Sequence, residues 1–173
     1  MNEASSPETD RGRALFEELL WVHSIIRSDL EFVEQLAADV GDGLPGEAVE
    51  DALGELKTNG PLWRLKVSCL RYCSHVHAHH GAEDVLLFPA LRAADPEIAP
   101  VVDRLEADHV RVSDLLDTVE AAARALTATD AGDARQRVID GLQDLHVHLL
   151  EHLDYEELNA GPTMRRLDRL GAL

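Results

Sequence analysis

Four stretches of this 173-residue chain carry apolar side chains at steps of three and four, and each of these stripes is interrupted by a histidine. In the first, Phe16, Leu19, His23, Ile26, Leu30, Val33, Ala37 and Val40 share one face, the signature of a helix with a single buried side. Gly41-Asp42-Gly43 stops it. Pro61, at a favourable N1 position, opens a second long helix expected to run to Ala93. Asp95-Pro96 supplies an N-cap and N1 pair for a third, which turns Val102, Leu105, His109, Val112, Leu116 and Val119 inward. Thr129-Asp130 caps a fourth, whose inner face runs through Val138, Leu145, His148 or Leu149, His152 and Glu156 until Pro162 limits it.

Gly41 to Gly60 reads as a long connection around a short amphipathic helix at 47–58, and a tail helix over Thr163 to Leu170 is expected after the fourth. Residues 1–10 read as a disordered tail and 11–173 as one domain. The expected fold is all-α: an up-down-up-down antiparallel four-helix bundle. With 7 aromatic residues and abundant Leu, Ala and Val, the composition suits packed helices better than strands.

A formal charge of −17 would repel phosphate backbones and anionic membrane surfaces, so neither nucleic acid nor a membrane is an expected partner. No run approaches ~18 apolar residues, and the start lacks the apolar core of a secretory signal, which predicts a cytoplasmic protein. Cys69 and Cys73, four apart in a helix, are poorly spaced for a disulfide and are expected to be reduced thiols.

A single buried histidine is ordinary, because one or two hydrogen-bond partners satisfy it. Four at matching depth, His23, His79, His109 and His152, are not. Two of them precede a glutamate by four residues, His79 to Glu83 and His152 to Glu156, which places ring and carboxylate on one helix face. Two carboxylates inside a bundle need cations, and no Lys or Arg occupies a facing inner position. Metal ions answer that need.

The two motifs extend into an internal repeat: His75, His79, Glu83, Asp84 and Pro89 have the same spacing as His148, His152, Glu156, Glu157 and Pro162. An approximate two-fold axis through the bundle would then create two equivalent metal positions, bridged by Glu83 and Glu156. Imidazole with carboxylate and no thiolate suits iron or manganese, and accommodates zinc. The metal ligands expected are His23, His79, Glu83, His109, His152 and Glu156. Coordination positions left over would admit water, oxide or a small ligand such as dioxygen.

These residues resemble the hemerythrin-like, or HHE cation-binding, family, whose pattern is H, HxxxE, H, HxxxE on successive helices. The segments VHAHHGAEDVLLFPAL and LLEHLDYEEL carry the likeness, which spans residues 15 to 162. The resemblance implies two iron ions, oxo- or hydroxo-bridged, and a small diatomic or peroxide ligand: dioxygen, hydrogen peroxide or nitric oxide. An oxidoreductase consuming peroxide or oxygen, an iron or oxygen sensor, and an oxygenase on a small organic substrate are the activities it allows. Oxygen-carrying relatives have HxxxH on the third helix and HxxxD on the last. Here Leu105 and Ser113 flank His109 and Glu156 replaces the aspartate, so one histidine is missing and the centre is expected to be more open and reactive than a carrier's.

The remaining polar residues receive subsidiary roles. His80, turned about 100° from His79, falls beside the inner stripe as an optional extra ligand. His75 and His148, one turn before the ligating histidines, suit outer hydrogen-bonding or proton-relay roles, and Tyr72 and Tyr155 lie near the inner surface. Cys69, Cys73, His77 and His80 share another face, more in keeping with packed thiols than with a soft metal site. Val85-Leu86-Leu87-Phe88 closes the first motif as an apolar lid, whereas Leu158-Asn159-Ala160-Gly161 in the second suggests an entrance.

Overall fold

The computed structural model describes residues 7–41, 61–126 and 131–170. Helix α1 spans Asp10–Gly41, and α2 spans Pro61–Ala82, running through a π-helical turn, Glu83–Leu87, into α3, Phe88–Ala94. A 3-10 turn, Pro96–Ile98, leads into α4, Ala99–Ala125; α5 is Ala131–Asn159 and α6 is Gly161–Met164. No strand occurs among the described residues. The expected helix at 47–58 and the Thr129-Asp130 cap lie outside them.

The four long helices pack in a ring, α1 on α2, α2 on α4, α4 on α5 and α5 back on α1. Partners along α1 and α5 run in opposite senses: His23 meets Glu157, Arg27 meets Asp154 and Glu34 meets His146. Between the helices lie two apolar clusters. One holds Ile26, Leu30, Leu65, Val76, Leu116, Leu145 and Leu153; the other holds Leu19, Phe88, Leu91, Leu105 and Met164. A polar layer, with His23, His80, Glu83, His109, His152 and Glu156 all at most 5 % exposed, interrupts the stripes that build both. A leucine in any of these places would contribute about 1.5–3 kcal/mol by burial, so the layer is a sacrifice of stability that only a bound partner offsets.

Local details follow from the residues. Asp95 accepts a hydrogen bond from the Glu97 backbone N–H at 3.1 Å, as an N-cap should, although it opens the 3-10 turn rather than α4 directly. Pro89 lacks the N–H that an α-helix would use, and the π turn just before it, with Phe88 N–H bonded to the Glu83 carbonyl, lets the helix continue. Pro162 is treated differently: α5 ends at Asn159, and a separate short helix restarts at Gly161. The tail helix expected over Thr163 to Leu170 is therefore earlier and shorter, because Pro162 sits in its first turn, where the missing donor costs nothing.

The first helix begins inside the stretch read as a tail. Thr9 accepts from Gly12 N–H at 2.8 Å, and its own backbone N–H donates to the Arg165 carbonyl at 2.9 Å. That closeness requires Gly12, since a Cβ there would lie 2.3 Å from the Arg165 carbonyl oxygen. Gly12→Ala should accordingly lower unfolding stability by about 1–3 kcal/mol, read in urea titration, because backbone cannot move aside as a side chain would.

Cys69 and Cys73 are unbridged and fully buried in the larger apolar cluster, and burial pushes both thiols up to about 12. No helix among the described residues is long and apolar enough to cross a membrane.

Candidate metal centre

Two groups of donor atoms form where the four stripes meet. His23, His79, Glu83 and Glu156 make one; His80, Glu83, His109 and His152 make the other, and within each the donor atoms lie within 4.8 Å of one another. Glu83 belongs to both. Its Oε1 lies 3.1 Å from His79 Nε2, and its Oε2 lies 3.4 Å from His109 Nε2. Glu156 also faces both sides, with Oε2 3.4 Å from His23 Nε2 and 4.0 Å from His152 Nε2.

These separations suit metal coordination. The His23 and His79 Nε2 atoms are 3.1 Å apart, and those of His109 and His152 are 3.2 Å apart. Neighbouring donors on an ion with bonds of about 2.1 Å are separated by about 3.0 Å in octahedral and about 3.4 Å in tetrahedral geometry. The polar atoms are otherwise stranded: both oxygens of Glu83, both of Glu156 and His80 Nε2 are buried without a hydrogen-bond partner. Such groups are costly unless a cation satisfies them, so the donor set fits metal ions.

Beyond the donors stands a second pair of acids. Glu157 accepts from His23 Nδ1 at 2.8 Å, and Asp84 accepts from His109 Nδ1 at 2.7 Å. Each acid directly follows a glutamate of the centre, Glu156 or Glu83, and each orients a ring on the adjacent helix so that Nε2 points inward. Arg27 steadies Glu157 from outside at 2.8 Å. Replacing Glu157 by Gln, or Asp84 by Asn, keeps an acceptor but removes its charge. Each change should weaken retention of one ion by about 10–100-fold, measured by competition with a chelator.

The electrostatics of the metal-free layer show what a cation would replace. Burial opposes charge on His23, but the nearby Glu156, Glu157 and Glu83 carboxylates outweigh it and push its pKa up to about 10. His109 is likewise raised against burial by Glu83 and Asp84. Burial instead lowers His79 to about 4 and His152 to about 3, and it lowers His80 as well. Glu83, although buried, is held well below the usual carboxylate range by His109 and His23, whereas burial and the Glu83 charge push Glu156 up to about 7. The His23 imidazolium thus stands in for a cation in its group, and His109 is shifted the same way in the other.

The six residues predicted from sequence, His23, His79, Glu83, His109, His152 and Glu156, are all brought together here. His80 joins them as a seventh. Read beside the stripe, it is buried at 5 % exposure, with its ring stacked on His109 at 4.1 Å between centroids. It offers a fifth imidazole, on the second helix, within reach of Glu83, His109 and His152. The other four side residues belong to neither group. His148 accepts from Arg111 at 2.8 Å, and Tyr155 lies under the Arg104 guanidinium, 3.7 Å from its ring centroid. His75 is half-buried, and the buried Tyr72 hydroxyl has no hydrogen-bond partner; both line a cleft between α1 and α2.

Cys69, Cys73 and His77 enter no metal-binding group among the described residues. The expected lid is only partly one: Leu87 and Phe88 are buried, with the Phe88 ring 5.1 Å from His109, while Val85 is 71 % exposed. The expected entrance at Leu158 to Gly161 is only partly open, with Leu158 75 % exposed. Ala160 and Gly161 are buried, and a Cβ on Gly161 would lie 2.7 Å from the Phe16 ring.

No curated protein and no solved structure matches the chain significantly. The profile of the hemerythrin HHE cation binding domain matches residues 22–163, a span that contains all seven inward donors and both outer acids. With that match over most of its length, the chain belongs to the hemerythrin HHE cation-binding domain family.

Proposed function

We propose that this chain is a non-haem diiron protein that binds or reacts with a small oxidant, dioxygen, hydrogen peroxide or nitric oxide, at a carboxylate-bridged centre. The observation that carries the reading is the pair of four-donor groups sharing Glu83, whose two buried oxygens face opposite groups. His23, His79 and Glu156 would hold one ion, His80, His109 and His152 the other, and Glu83 would join them. Five imidazoles with two carboxylates and no thiolate favour iron over softer-ligand metals. Bound iron would supply electrons and coordination positions for the oxidant.

The residues of the chain set the conditions. Glu157 and Asp84 fix the rings of His23 and His109, and the apolar clusters on either side exclude bulk water. A small ligand is favoured over an organic substrate because the largest cleft described, about 700 Å³, touches no inward donor, and the groove of about 490 Å³ that reaches His80 and His109 has the acidic walls Asp84, Glu106 and Asp114, unlike the mostly apolar pockets that take organic ligands. The bundle is read as up-down-up-down and antiparallel, supported by the reversed pairings of α1 with α5. Unbridged Cys69 and Cys73 support a cytoplasmic setting.

Metal analysis of protein from iron-supplemented cells should find about two irons per chain, with absorption that changes on adding dioxygen or peroxide. One zinc, or no metal, would overturn the diiron reading. Two irons without any spectral response would keep the centre and remove the oxidant.

A further inference from the structure

The metal layer is buried, so an ion needs a way in. A groove of about 490 Å³ between α2 and α4 is the largest cavity described that touches inward donors: His80 and His109 form part of its wall. Its other walls carry Asp84, Glu106 and Asp114, and no Lys or Arg lines it. Its volume exceeds that of a cation with six waters, about 180 Å³ at about 30 Å³ per water.

Gly81, also in the wall of this groove, is the unexplained residue. Glycine weakens a helix interior relative to alanine, and Gly12, Gly141 and Gly161 answer that with neighbours 2.3, 3.0 and 2.7 Å from a would-be Cβ. Around Gly81 nothing lies within 4 Å. Packing therefore does not require glycine there, whereas any long side chain would enter the groove beside His80.

We propose that this groove is the route by which divalent iron reaches the buried donors, with Gly81 keeping it clear and Asp84 and Asp114 drawing the cation inward. The inference rests on the metal-centre reading above. Charge favours a cation over a neutral oxidant as the entrant, since carboxylates attract only the former. Arg92 engages Glu106 at 2.8 Å, and Asp84 gives one oxygen to His109. The attraction thus falls on Asp114 and on the second oxygen of Asp84. The rival cavity beside His152, about 110 Å³, is smaller than a hydrated cation, and Arg111 lines it together with Asp108 and Glu151, both already paired with Arg104.

The test is the rate of ferrous-ion uptake by metal-free, full-length protein under argon, with samples quenched into a ferrous chelator and the final iron content measured separately. Gly81→Leu should load to the parental iron content about tenfold or more slowly, with Gly81→Ala in between. Asp114→Asn should load a few-fold more slowly at low salt and lose part of the salt dependence. Ala78→Leu, in the cleft between α1 and α2, should load at the parental rate. Parental rates in folded Gly81→Leu, or slowing by Ala78→Leu alone, would overturn the route. Should Gly81→Leu fail to fold, Gly81→Ala and Asp114→Asn decide by the same criterion. Parental protein that takes up no iron would overturn the metal centre itself, whereas full final content at an unchanged rate overturns only the route.

Discussion

Replacing His80 by alanine is expected to lower the metal content from about two ions per chain to about one, while His75→Ala leaves it unchanged. The first group, His23, His79, Glu83 and Glu156, is complete without His80. The second keeps only Glu83, His109 and His152, and His109 loses the ring stacked on it at 4.1 Å. An ion held by one carboxylate and two rings, one of them without its stacked neighbour, should dissociate during chelator treatment that the other ion survives. Added imidazole, which can occupy the vacated space, should restore part of the loss. His75 is four residues before His79 on the same helix and belongs to neither group, so it controls for general damage to α2. Metal analysis after gel filtration decides the matter, and two ions retained in His80→Ala would remove that residue from the donor set.

Why His80 was hard to read from sequence is geometric. An inner stripe aimed at a single line leaves a residue about 100° round the helix off target. A centre with two positions is wider. His79 and His80 straddle the inward direction, and each reaches a different group, His79 towards His23 and His80 towards His152. The pair of adjacent histidines was the visible signal. His23, His109 and His152 needed no such correction, because each replaces an apolar residue on an uninterrupted stripe whose neighbours, Ile26, Leu105 or Leu149, are fully buried.

Asp84 and Glu157 were visible as matching members of the repeat, yet their purpose depends on which helices are neighbours. Only with α5 beside α1, and α2 beside α4, does an acid one step past each glutamate reach a ring on another helix. The unlike treatment of Pro89 and Pro162 was equally hidden. Each removes a backbone donor at the matching place of its own half, but the first is absorbed by a π turn and the second by a break, so the repeat diverges just beyond its metal-binding part. That divergence also buries part of the end that sequence suggests is open, since Gly161 packs against Phe16 while Leu158 stays exposed.

The second large effect concerns pH. In the metal-free protein the proton on His23 is held up to about 10, so the ion bound there must displace it at neutral pH, and His109 is shifted in the same direction. Between pH 7 and 9 the apparent affinity for the ion held by His23 should therefore rise about tenfold per pH unit. Glu156, near 7, adds a further proton to displace only below that point. The stability of the metal-free protein carries the complementary signs. His79 and His152 have lowered pKa values, about 4 and 3, so their contribution is full above the unfolded value of about 6.5 and is lost as pH falls towards 4. His23 and Glu156 are raised, so their contribution is full at acid pH and is lost as pH climbs through 7 for Glu156 and 10 for His23. Metal binding removes that alkaline loss, because the imidazoles then serve as neutral donors and the carboxylates as anions. The gap in melting temperature between loaded and metal-free protein should thus widen steadily from pH 6.5 to 9. A gap independent of pH would show that the imidazolium proton of His23 is not what the bound ion replaces.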